Sequence, residues 1–154
     1  MSAESAGRHH EFTTESGAET IEVGRRLVEL LSPPQLLILR GDLGTGKTTL
    51  VKGIAEALGA AEANEVTSPT FTLLHEYDGV REGRPVRLCH LDVYRLEGER
   101  QLDTLGLDEL LTADALVLVE WGEKFASIRK KATGEVVISS TGGDTRRILV
   151  TLKA

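Results

Sequence analysis

Eight consecutive residues, Gly41-Asp42-Leu43-Gly44-Thr45-Gly46-Lys47-Thr48, match the pattern G-x-x-x-x-G-K-[ST] at every fixed position. Their flanks restrict the fold further. Leu36-Leu37-Ile38-Leu39 is a short apolar run of the kind that forms a strand buried on both faces, and Val51, Ile54, Ala55 and Leu58 recur at helical spacing. The chain is therefore expected to run from a buried parallel strand through a glycine-rich loop into a helix. Glycine lets such a loop close around an anion, so that the amides from Gly44 to Thr48 point at a phosphate lying on the positive end of the helix dipole. Lys47 is expected to reach the β- and γ-oxygens of a nucleotide, and the Thr48 hydroxyl to ligate Mg²⁺. A turn that only caps a helix has no need of Lys followed by Thr.

A loop of this kind needs a sheet around it, and 154 residues are enough for one domain that buries roughly 70% of its unfolded surface without staples. With 40% hydrophobic and 27% charged residues the composition is that of an ordinary globular protein. The lone Cys89 forms no intrachain disulfide, no apolar run reaches membrane-spanning length, and Met1-Ser2-Ala3-Glu4 has neither a basic nor an apolar leader region. A cytoplasmic location is the default expectation. The formal net charge of −6 argues against nonspecific nucleic-acid binding as the main activity.

Residues 1–10 are small and polar, carry His9-His10 and show no period, which reads as a disordered tail before a single domain over 11–154. Glu11 to Thr14 suits a short edge strand; Val23, Leu27, Leu30 and Leu31 then give a helix of about three turns, stopped by Ser32-Pro33-Pro34. After the loop helix ends near Leu58-Gly59, Ala60 to Glu65 reads as connection. Thr70, in Ser68-Pro69-Thr70-Phe71, has two readings: a turn residue after Pro69, or a switch-type hydroxyl near Mg²⁺ and the γ-phosphate. Residues 71–77 and 86–91 are expected to be two strands joined across the polar 78–84 segment. The second runs into Asp92, a strand-end carboxylate that suits a Mg²⁺ site, a helix N-cap or an ion pair with Arg95. His75 and His90 read as strand side chains, since no Cys or His cluster stands at metal-ligand spacing.

Leu102, Leu105, Leu107, Leu110 and Leu111 suggest one or two short helices broken at Gly106. Leu116-Val117-Leu118-Val119 is expected to be a second buried strand, closed by Glu120, which has two readings: a Walker B carboxylate that supports Mg²⁺ or polarises the attacking water, or an exposed strand-end glutamate. Trp121 either packs beside a nucleotide or caps the core. Lys124, Arg129, Lys130 and Lys131 form a small basic cluster, ordinarily a solvated face. Residues 136–139 and 148–152 read as a closing antiparallel hairpin. The fold class expected is α/β, P-loop NTPase-like: a central, mostly parallel sheet flanked by helices, with antiparallel additions.

The phosphate loop, Ser68-Pro69-Thr70-Phe71, His90-Leu91-Asp92-Val93-Tyr94-Arg95 and Glu120-Trp121-Gly122-Glu123 stand together in an order that resembles the TsaE (YjeE) family of bacterial P-loop ATPases, over about residues 12–152. The resemblance implies ATP and Mg²⁺ as cofactors and a role in the N6-threonylcarbamoyl modification of adenosine 37 in tRNAs. It implies nucleotide contacts from Gly41, Leu43, Gly44, Thr45, Gly46, Lys47, Thr48, Thr49 and Trp121. It places Thr48, Asp92 and Glu120 on the metal side, with Thr70 and Glu120 as the catalytic pair. Its partners would be TsaD, which performs the transfer, and TsaB, with tRNA met indirectly through the complex. A small-molecule or nucleotide kinase and a nucleotide-gated scaffold are the alternatives. A guanine-specific switch protein is disfavoured, because neither N-K-x-D nor T-K-x-D occurs.

Overall fold

Strand β2 (Gln35–Arg40) is buried along its length except at its ends, and its two faces feed two separate cores. Leu37 and Leu39 face one cluster, Leu36 and Ile38 the other, so an apolar run without alternation places the strand in the middle of a sheet covered on both sides. The computed structural model describes residues 8–153. Around β2, in chain order, stand β1 (Arg8–Thr14), α1 (Gly17–Leu27), α2 (Lys47–Ala57), β3 (Leu74–Arg81), β4 (Arg84–Asp92), α3 (Glu99–Asp103), α4 (Leu107–Leu110), β5 (Ala115–Glu120), α5 (Ala126–Lys131), β6 (Gly134–Gly142) and β7 (Thr145–Leu152).

Among the described residues the strands form one sheet of seven in the order β1-β7-β6-β2-β5-β4-β3. The four central strands, β6, β2, β5 and β4, are mutually parallel, while β7, β1 and β3 are antiparallel additions at the edges. Helices α1 and α2 cover one face with Val23, Leu27, Leu50 and Ile54, and α3 to α5 cover the other with Leu102, Leu107 and Ile128. The expected α/β architecture is the one observed. All six residues of β5 are buried, as its unbroken apolar run demands.

Local signals set the boundaries. The Ser16 hydroxyl accepts the Glu19 amide at the start of α1, and the Glu19 carboxylate accepts the amide of Glu15 in return. Gly59 (φ 64°) and Gly106 (φ 66°) take the left-handed conformation where the sequence places a helix end and a break.

Three expectations need correction. Residues 1–7 of the expected tail lie outside the described residues, but residues 8–10 belong to β1, which is longer than Glu11 to Thr14 because β7 supplies a partner for each of its residues. The 71–91 hairpin is displaced: residues 71–73 form a turn, closed by the Leu73 amide donating to the Pro69 carbonyl, and the strands continue through the polar stretch to a tight turn at Glu82-Gly83. Both turn residues have positive φ, 53° and 78°, the two-residue geometry that matches strand twist. Asp78 and Arg87 are register partners there, so charges that suggest a loop instead decorate an exposed edge hairpin. Finally, the first helix ends at Leu27, and Val28–Leu30 forms a 3₁₀ turn.

Candidate functional site

The loop between β2 and α2 is held from three sides. A Cβ on Gly41 would stand 2.6 Å from both the Ile138 carbonyl oxygen and Thr45 Oγ1, so only glycine lets the loop leave β2 so close to β6. Thr45 ties the loop to itself through its hydroxyl, which donates to the Asp42 carbonyl at 2.8 Å. From β7, Arg146 Nε donates to the Thr45 carbonyl at 2.8 Å while its Nη1 donates to the Gly143 carbonyl, locking the β6–β7 hairpin to the loop. Gly44 (φ 79°) and Gly46 (φ 112°) turn the backbone so that the chain enters α2 at Lys47. Lys47 is buried, folds back and donates from Nζ to the Gly41 carbonyl at 2.7 Å. Burial pushes its ammonium below the usual lysine range, opposed by the carboxylates of Glu120, Glu123, Asp92 and Asp42.

Parallel register brings the acidic residues beside the loop. β4 pairs with β5 so that Asp92 stands opposite Glu120, both buried, at the carboxyl ends of two neighbouring parallel strands, of which β5 adjoins β2. Glu120 Oε2 accepts from Thr48 Oγ1 at 3.2 Å and from His90 Nε2 at 2.6 Å. Asp92 Oδ2 accepts from Thr70 Oγ1 at 3.1 Å, while Oδ1 accepts the Tyr94 amide at 2.9 Å. Arg95 instead lies over the exposed Phe71 ring, 4.4 Å from its centroid. One cleft of about 320 Å³ is lined by Leu43, Gly44, Gly46, Lys47, Thr48, Thr49, Ser68, Thr70, Asp92 and Glu120.

Gly41, Thr45 and Trp121 line the neighbouring recess instead, together with Leu43 and Gly44. Trp121 itself has a left-handed backbone (φ 67°), packs on the core beneath, meets the Tyr94 ring at 5.0 Å and carries Lys47 Nζ 3.9 Å above its own. It is the core cap of the two readings the sequence offers, and it also stands beside the phosphate-loop lysine.

The donor set fits a nucleotide with a hard cation. Backbone amides at a helix N-terminus and a buried ammonium suit phosphate, and a hydroxyl with two carboxylates suits Mg²⁺, which keeps waters and takes its remaining ligands from phosphate. Among the described residues no group of three or more His, Cys, Asp or Glu is arranged to hold a metal without such help.

Sequence reasoning missed three members. Ser68 donates to Thr70 or accepts from it at 2.8 Å beside Asp92. Arg146 lies far from the loop in sequence and carried no signal. His90 was read only as a strand residue, although its position two before Asp92 puts both side chains on one face of β4. The basic cluster is structural where it is engaged: Lys124 donates to the Tyr94 and Leu96 carbonyls, Arg129 to the Glu123 carbonyl, and Lys131 pairs with Asp108.

This fold and this loop define a P-loop nucleotide-binding protein. Residues 14–148 match the model of one family, the threonylcarbamoyl adenosine biosynthesis protein TsaE. The chain belongs to the TsaE family. A tRNA threonylcarbamoyladenosine biosynthesis protein TsaE from Bacillus subtilis is 39% identical over 141 residues, spanning 91% of this chain and 84% of that protein. The protein of the same name from Streptomyces coelicolor is 38% identical over 135 residues, spanning 84% of this chain and 88% of its own. The crystal structure of Bacillus subtilis YdiB is similar with a TM-score of 0.68 at 32% identity, covering 96% of this chain and 88% of that one. Among the described residues no helix is long and apolar enough to cross a membrane.

Proposed function

We propose that this protein binds ATP with Mg²⁺ and hydrolyses it as an accessory component of tRNA N6-threonylcarbamoyladenosine synthesis, acting with TsaD and TsaB. The observation that carries this reading is the convergence of Lys47, Thr48, Thr70, Asp92 and Glu120 on one cleft at the mouth of the phosphate loop. Lys47 and the amides opening α2 hold the phosphates. Thr48, Asp92 and Glu120 would hold Mg²⁺ through their side-chain oxygens, and the ion would supply positive charge to offset that of the phosphates. Glu120, with Oε2 shared between Thr48 and His90, has Oε1 to orient a water, and Thr70 is the hydroxyl nearest Asp92 on the segment that would follow the γ-phosphate. The family names support the tRNA-modification context.

Fast hydrolysis on such a loop also needs a cation at the γ-phosphate, an addition worth about 10³ to 10⁵ in rate. The nearby cations have other work: Arg95 covers Phe71, Lys124 and Arg129 hold carbonyls, and Arg146 pins the loop. Leu43, Phe71 and Tyr94 are exposed around the cleft, an apolar rim suited to a partner surface that could bring the cation. Single-turnover ATP hydrolysis tests this. The expected result is slow turnover by the isolated chain, a marked increase with TsaD and TsaB, and loss of that increase in Glu120→Gln while nucleotide still binds. A fast isolated enzyme, or partners without effect on its rate, would refute completion in trans. Phosphate release without any acceptor separates hydrolysis from a kinase reaction.

A further inference from the structure

His90 is fully buried in β4. In register it stands between His75 of β3 and Leu118 of β5, a place where an aliphatic side chain would pack at no polar cost. Its Nδ1 has no hydrogen-bond partner, so the imidazole is desolvated on one side without compensation. Other ring nitrogens without partners belong to His10 and His75, which are only half-buried; His90 is enclosed on every side. Its polar contact is to Glu120 Oε2, at 2.6 Å. A carboxylate oxygen accepts, so Nε2 carries the hydrogen of this contact. The same oxygen accepts from Thr48 at 3.2 Å. Two donors on one oxygen, one from a core strand and one from the first turn of α2, restrict the rotation of the carboxylate, and Glu120 lines the cleft.

We infer that His90 is a positioning residue for the proposed ATPase: from the adjacent strand it holds the Glu120 carboxylate in the orientation that faces the phosphates. The inference rests on the ATPase reading for its kinetic consequence, though not for the hydrogen bond itself. An imidazole suits the task because its ring is rigid and spans the diagonal between the two strands. Partners that orient a ligating or catalytic side chain in this way typically matter by about 10 to 100-fold in activity when removed.

The test uses the full chain with TsaD and TsaB under single-turnover conditions. His90→Leu should slow hydrolysis, with protein in excess and at a concentration that binds all the ATP, by at least about tenfold while metal-free ADP affinity changes less than about twofold. His90→Gln, whose amide nitrogen reaches the place of Nε2, should recover most of the rate. His90→Asn, too short to reach Glu120, should not. Should His90→Leu fail to fold, the contrast of Gln with Asn decides alone. A native rate in His90→Leu, or equal rates in the Gln and Asn variants, would overturn the inference. The proton NMR signal of His90 Nε2–H gives a readout independent of turnover: it should lie downfield in the native chain and shift in Glu120→Gln. If the native complex hydrolyses no ATP, the functional reading fails by itself and this signal still judges the strut. An Nε2–H resonance indifferent to Glu120→Gln would overturn it.

Discussion

Lys47 crosses its own loop: the side chain of the first residue of α2 returns to the Gly41 carbonyl, six residues back, and lies over Trp121. In the nucleotide-binding function proposed above, this buried ammonium would exchange that carbonyl for phosphate oxygens. Charge-assisted contacts of this kind are worth about 1.5 to 3 kcal/mol each. Lys47→Ala should therefore weaken ATP and ADP binding by roughly one to two orders of magnitude and leave adenosine, which has no phosphate, unaffected. Titration calorimetry with all three ligands measures this, and equal ATP affinity in the mutant would remove the loop from the nucleotide site.

Among the elements, the α1–α2 pair places the loop helix. Its closeness comes from two glycines facing each other, since a Cβ on Gly53 would run into the Ile21 carbonyl and one on Gly24 into the Leu50 carbonyl. Backbone carbonyls cannot rotate away as side chains do, so a methyl group there must force the helices apart. Gly53→Ala is expected to destabilise the protein by about 1 to 3 kcal/mol although alanine is the better helix former. Gly17→Ala, in the first turn of α1 with open space around its Cβ, is the control and should cost nothing measurable. Urea unfolding of the two variants gives the answer. A Gly53→Ala chain as stable as the native would show that the helices yield freely.

For the whole molecule, Cys89 reports on opening of the sheet. It is buried in β4 between the edge strand β3 and the central β5, and burial pushes its thiol up to about 11. With neither access nor thiolate at pH 8, the folded protein should be almost inert to a disulfide reagent, and labelling should proceed only through unfolding. The measurement is the labelling rate against urea concentration. It should track the unfolded fraction, whereas rapid labelling in buffer would mean that the β3–β4 hairpin detaches without global unfolding.

Where chemistry is local, residue order carried the information. The loop and its helix, the buried strands β2 and β5, the helix break at Gly106 and the acidic strand ends Asp92 and Glu120 were all legible, because each follows from spacing, apolar continuity or glycine placement within a few residues. The β3–β4 hairpin was legible in kind but not in extent: its charged edge resembles a loop until β4 is seen to supply a partner for every residue. The order β6-β2-β5-β4 could not be read in advance, since a parallel strand chooses its neighbour through helix packing on both faces rather than through any adjacent residue. That order is what sets Asp92 beside Glu120. The contacts of His90 with Glu120 and Arg146 with Thr45 follow from it too, joining residues 30 and 101 positions apart that have no reason to meet until the sheet is assembled.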